Sequence, residues 1–154
     1  MRKLVTVAGL VASIVLVATL VSGASQKAVT SPMTVHVIEH AATDVVIDTG
    51  KKGDTTGDLL TWHNKIFDAA NKKQVGRDQG DCVRISPSEG SWECRWTTWV
   101  PGGAITVEGP FYDSKDNTIA ITGGKGLFKN ARGTMTLKAR KGGTEYAFIF
   151  KVIP

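Results

Sequence analysis

The sequence predicts an all-β domain, a barrel or sandwich, and three observations carry that prediction. Short runs rich in β-branched and aromatic residues recur along the chain at near-regular spacing. Glycine-rich turns separate them, as at 101–103 (PGG), 123–126 (GGKG) and 141–143 (KGG). Within the runs the side chains alternate. Met135, Leu137 and Ala139 share one face, with Thr134, Thr136, Lys138 and Arg140 on the other. Tyr146, Phe148 and Phe150 likewise fall on a single face.

Taken in order, the chain opens with a segment that does not belong to the domain. Arg2 and Lys3 precede an apolar run from Leu4 to Leu20, followed by Ser22, Gly23 and Ala24. This reads as a secretory signal peptide over residues 1–24, cut after Ala24 and implying an extracellular protein. An uncleaved anchor is the alternative, but the small-residue site stands where cleavage requires it, so no stable membrane anchor is expected. Residues 25–33 read as a flexible leader, and 34–154 as a single domain. Expected strands are 34–40 (TVHVIEH), 44–49 (DVVIDT), 59–67 (LLTWHNKIF), 74–85, 91–100, 104–113, 118–122, 133–140 and 145–153. Only Leu127–Ala131 has the look of a helical turn.

Charge excludes one large class of function. The chain carries 19 basic and 14 acidic residues, and removal of Arg2 and Lys3 leaves 17 − 14 = +3. The charges are interspersed, so no nucleic-acid partner is implied.

Two motifs invite chemistry. HVIEH at 36–40 matches the H-x-x-E-H pattern of zinc peptidases, which works on a helix where residues four apart stack. On a strand His36 and His40 lie about 13 Å apart at ~3.3 Å per residue, and Glu39 points the other way. Two imidazoles so placed do not share one zinc at ~2 Å, and no metal site is assigned. The second motif is the pair Cys82 and Cys94, flanking a Pro-Ser-Glu-Gly turn in CVRISPSEGSWEC. A hairpin centred on Ser88 sets the two cysteines face to face. In an exported chain this reads as a structural disulfide; a redox pair lacks both the C-x-x-C spacing and a neighbouring base. Arg84 and Trp92 would then face each other beside the bridge, and a buried Arg84 would need a carboxylate, for which Glu39 is the candidate. Glu108 and Asp113, flanking Gly109-Pro110, read as a solvated rim.

From Gly57 onward the chain resembles a known family. GDLLTWHNKIFDAANKKQVGRDQGDCVR is similar to the G-D-L-x-x-F-x-N-K-L-Y, K-K-x-V-G and G-x-C-V stretches of allene oxide cyclases. VGRDQG and NARG resemble the corresponding segments of dirigent proteins, and ITVEGPFYDSKDNTIAITGGKGLFKNARGTMTLKA keeps the cyclase motif order. The resemblance implies an eight-stranded antiparallel β-barrel with an apolar pocket, assembled as a homotrimer, without organic cofactor or metal. It implies a small hydrophobic molecule as partner, steered through cyclisation, isomerisation or coupling by being held in one shape.

Position by position, the resemblance places the pocket wall at Leu60 and Trp62 and the pocket asparagine at Asn64. The three alternate on one strand face, and His63 points away. The pocket cysteine falls on Cys82, whose thiol the bridge removes. The pocket tyrosine falls on Phe111, without its hydroxyl. The family's first-strand glutamate and asparagine fall on Val37 and Glu39, which moves the acid two residues along. The expected site is therefore Glu39 and Asn64 as catalytic residues, with Leu60, Trp62, Phe111 and Arg84 contacting ligand. Two other functions remain open on the sequence: a non-catalytic carrier of an apolar ligand, and a structural barrel filled by its own side chains.

Overall fold

The computed structural model describes residues 30–153, so the signal peptide assigned to 1–24 and the leader up to residue 29 lie outside the described residues. Within them run nine strands: β1 (Met33–His40), β2 (Val45–Ile47), β3 (Leu59–Asp68), β4 (Gln74–Ser86), β5 (Ser91–Val100), β6 (Gly103–Tyr112), β7 (Asn117–Gly126), β8 (Arg132–Arg140) and β9 (Glu145–Ile153). From β3 to β9 each strand pairs antiparallel with the next, and β1 pairs with β9 along its whole length. The sheet closes where β1 also pairs with β3, from Val37↔Asp68 to His40↔Lys65. Eight strands thus form a closed antiparallel barrel, as the sequence predicted.

The ninth strand follows from the lengths of the others. β1 covers only the second half of β3, which leaves the first half as an open edge. β2 fills part of that edge with the pairs Val45↔Thr61, Val46↔Leu60 and Ile47↔Leu59. Between the two coverings the 41–44 loop crosses β3 and is stapled there. The Thr43 hydroxyl donates to the His63 carbonyl at 2.8 Å and accepts from the His63 amide at 2.8 Å.

The interior divides into two halves. The end where β1 begins is packed solid by Ile66, Ile105, Met135, Phe150 and Val152, all essentially inaccessible to solvent. Here the β7–β8 connection differs from expectation. Leu127–Ala131 is a pair of turns and not a helix, and it carries Phe128 and Ala131 into the core. Gly124 makes the room, because a Cβ there would sit 2.9 Å from the Phe128 Cβ. The one helical element among the described residues is a 3-10 turn at Lys141–Gly143, read from the sequence as a simple turn. At the opposite end, where β1 finishes, the interior is not filled.

Cys82 and Cys94 are directly opposed in the β4–β5 register and form a disulfide, with Cα atoms 4.0 Å apart. Closing so short a loop restricts the unfolded chain by roughly 2–3 kcal/mol. Thermal melts with and without reductant, repeated on a Cys82→Ala/Cys94→Ala variant, should show that loss. Equal melting temperatures in all cases would remove the bridge from the stability account.

Candidate active site

The unfilled end of the barrel is a cavity of about 230 Å³. Alternation decides its wall. Leu60 and Trp62 of β3, Cys82 of β4, and Trp92, Cys94 and Trp96 of β5 all project inward, and Phe111, Leu137, Tyr146 and Phe148 complete the apolar lining. The disulfide is therefore part of the wall. Exposed Asp44, Val46 and Asp113 form the rim, so the cavity meets solvent there. Gly80 allows the ring packing. A Cβ at that position would lie 2.8 Å from Trp62 Cζ2 and would collide with Trp96, yet the two indoles meet edge to face at 5.8 Å.

One acid stands in this apolar wall. Glu39, at the inward-facing end of β1, is only 5% exposed and lines the cavity. Asn64 holds it in place. The Asn64 Nδ2 donates to Glu39 Oε1 at 2.9 Å and to Asp44 Oδ1 at 2.6 Å. Its Oδ1 accepts the Ala42 and Thr43 amides, each at 3.0 Å. Every hydrogen-bonding position of the amide is thereby used. Asn64 is itself absent from the cavity lining. It fixes the 41–44 crossing and the Glu39 carboxyl together.

Behind Glu39 lies a second carboxyl. Asp78 of β4 is inaccessible to solvent, and its Oδ2 accepts the Trp62 indole N–H at 3.3 Å. Its Oδ1 is buried with no hydrogen-bond partner among the described residues, and its carboxyl is close enough to Glu39 for the two to repel when charged. Burial, and then the negative charge of Asp78, push the Glu39 pKa well above the ordinary carboxyl range. Burial raises Asp78 from 3.8 to about 6. Two adjacent buried carboxyls do not both ionise readily, so the pair retains a proton near neutrality. Tyr146, across the cavity, is pushed upward by burial and by the charges of Glu39 and Asp44, so its phenol stays a neutral donor. It packs edge-on against Phe111 at 6.1 Å. A hydroxyl is thus present beside the ring of Phe111, which lacks one.

Of the sequence-assigned residues, Glu39, Leu60, Trp62 and Phe111 meet at the cavity. Arg84 does not line it, and its partner is not Glu39. It faces Trp92 in register, as expected, and stacks on that ring at 4.2 Å. Its carboxylate partners come from the loops. Nε and Nη2 grip Asp54 at 2.7 Å each, and Nη1 meets Asp113 at 2.6 Å. Asp113 also accepts the Trp92 N–H at 2.8 Å. Arg84 therefore ties the 48–58 loop and the β6–β7 turn to the rim. The reason is positional: Glu39 sits by β3 and β9, whereas Arg84 sits at the end of β4 beside the loops. Asp113 belongs to this rim network, while Glu108 is exposed in the outer row opposite Arg95.

The sequence reading missed Asp78, Asp44 and Tyr146. A signal for Asp78 existed. In RDQGDCVR, residues 78, 80, 82 and 84 share a face, and the disulfide already marked that face as interior. On β1, His36 is exposed, while His40 stacks on Phe67 at 4.0 Å and bonds Asn71 at 2.7 Å.

A closed antiparallel barrel, solid at one end and hollow at the other, with two buried carboxyls beside an aromatic wall, is the architecture of the allene oxide cyclase and dirigent class of barrels. The chain belongs to the allene oxide cyclase family, whose model matches residues 27–151. Among solved structures it is similar to a pyocyanin demethylase, at 26% identity over 79% of this chain and 100% of that one, with a TM-score of 0.68. A pterocarpan synthase dirigent protein matches 79% of this chain and 87% of its own at 17% identity and a TM-score of 0.63. An exo-specific intermolecular Diels-Alderase matches 79% and 98% at 12% identity, also with a TM-score of 0.63. The last two likenesses concern the fold.

Proposed function

We propose that this protein binds a small, flat hydrophobic molecule in the cavity and steers its cyclisation, isomerisation or coupling, using the Glu39–Asp78 pair to move a proton. The observation that carries this reading is the pair of adjacent buried carboxyls, one of which, Glu39, lines an aromatic-walled cavity. A general acid–base group works best when its pKa lies near the working pH, and burial has moved this pair in that direction. Glu39 can give a proton to a ligand atom, or take one, without leaving two adjacent charges in an apolar wall. The aromatic rings hold the ligand in one pose, which lowers the barrier through orientation. Asn64 acts as a positioning residue. Similar barrels named as a demethylase, a dirigent pterocarpan synthase and a Diels-Alderase support small-molecule chemistry in this fold.

The cavity volume narrows the ligand. About 230 Å³ lies below the ~300–1,000 Å³ typical of drug-sized sites, which favours two or three fused rings over a long acyl chain. Export is part of the same reading, supported by the signal-like segment of residues 1–24 and the disulfide. So is self-association as a homotrimer, supported by an apolar outer row of exposed Ile47 and Val83 flanking half-buried Leu59, with exposed Ile85 beside it.

A panel of bicyclic and tricyclic aromatics and conjugated ketones, read by native mass spectrometry and by product analysis, tests the proposal. One-to-one binding and conversion are expected, and Leu60→Trp, which fills the cavity, should abolish both. Binding that survives Leu60→Trp would place the ligand elsewhere. Tight binding with no conversion of any compound would leave a carrier and overturn the catalytic part.

A further inference from the structure

The cavity's charge is at odds with that of the chain around it. The protein is basic, with a formal net charge of +5, yet no lysine, arginine or histidine lines the cavity among the described residues. Three carboxyl residues do: Glu39, Asp44 and Asp113. The nearest cation in the rim network, Arg84, is shared between Asp54 and Asp113, so that cluster of one positive and two negative groups keeps one negative charge. Asp44 contributes another; its hydrogen-bond partner, the neutral Asn64 amide, cancels none of it.

The rest of the wall points the same way. Trp62, Trp92, Trp96, Phe111 and Tyr146 present aromatic surface, whose faces attract positive charge. An aromatic cage closed by carboxylates is the arrangement that recognises an organic cation, and it repels a carboxylate ligand. One further group is left without a partner. The indole N–H of Trp96 is buried and donates to no acceptor among the described residues, so an acceptor atom on a ligand is what the wall still lacks.

Building on the cavity reading above, we infer that the natural ligand is a planar organic cation, such as an N-alkylated or protonated aromatic heterocycle. Its charge sits at the acidic rim beside Asp44, and its rings lie among the tryptophans. Neutral hydrocarbons of the same shape fit the cavity but forgo the electrostatic part, and anionic ones are turned away at the rim.

Three probes of matched size separate the terms: N-methylquinolinium, 2-methylnaphthalene and 2-naphthoate, titrated by calorimetry at pH 7 in low and high salt. The cation should bind at least tenfold more tightly than the neutral probe, and the anion more weakly than either. Salt should narrow the gap. Asp44→Asn, an exposed and near-isosteric change, should cut cation affinity severalfold and leave the neutral probe unaffected. Leu60→Trp should abolish cation binding, which locates it inside the barrel. Equal affinities, a preference for the anion, or a cation preference untouched by both variants would overturn the inference. Binding of the neutral probe alone would reject the charge preference while sparing the cavity reading. Failure of all three probes to bind would overturn both.

Discussion

Replacing Glu39 by glutamine is expected to lower turnover of a converted compound by at least ~10²-fold, the usual scale for losing a positioned general acid or base. The geometry makes the test a clean one. Glutamine keeps the oxygen that accepts from Asn64 Nδ2, and its amide is a neutral donor placed beside the unpartnered Oδ1 of Asp78. The fold and the cavity shape should therefore survive, and so should affinity, within about threefold. A fall in kcat with binding kept assigns the carboxyl to the chemical step. A wild-type rate in Glu39→Gln would show that the barrel acts by shape alone. The pH–rate profile gives a second readout. The wild-type limb set by the carboxyl pair should vanish in the variant, which a merely structural role for Glu39 does not predict.

The second large effect is on stability, and it runs opposite to the usual trend for an acidic side chain. Asp78 ionises near 3.8 in the unfolded chain and at about 6 in the fold, because burial penalises its charge. Between those values the folded state holds the extra proton. The contribution is fully present below pH ~4 and is lost as pH rises through about 6, a decline of roughly 3 kcal/mol. Glu39, also raised, adds to the decline at higher pH. Other acids act in the reverse sense. Asp58, Asp68 and Glu145 are held low by hydrogen bonds from Thr55, Lys72 and Lys141, so they stabilise above the unfolded carboxyl range and lose that effect in acid. The Asp78 effect is isolated by difference. Asp78→Asn should melt well above wild type at pH 7, by about 10 °C, with the gap closing toward pH 4. A gap independent of pH, or one that widens in acid, would mean that Asp78 is not the strained carboxyl.

How much of this was legible beforehand differs between the fold and the site. The all-β domain was legible because period-two alternation and turn chemistry are local properties; that the sheet closes into an eight-stranded barrel came from the family resemblance. Met135–Leu137–Ala139 and Tyr146–Phe148–Phe150 declare an inner face wherever the strands later pair. The disulfide was legible for the same reason, since a hairpin of this length puts Cys82 opposite Cys94 with no reference to distant chain. The Glu39 and Asn64 assignments came from family resemblance. The structure joins them by a direct hydrogen bond, and the wider network came only with it.

What the sequence by itself determined is which side chains face inward: a strand's pleat obliges every second residue to share a side. What only the tertiary structure decided is which inward residues meet, and where the interior is left empty. Asp78 and Glu39 are 39 positions apart and touch because β1 closes the ring onto β3, beside β4. Arg84 finds Asp54 and Asp113 because loops from separate hairpins converge at one end. Phe128 folding into the far end, and small residues such as Gly80 near the open one, set how much of the barrel stays hollow. These are sums over side chains brought together by closure, and no local pattern along the chain encodes them.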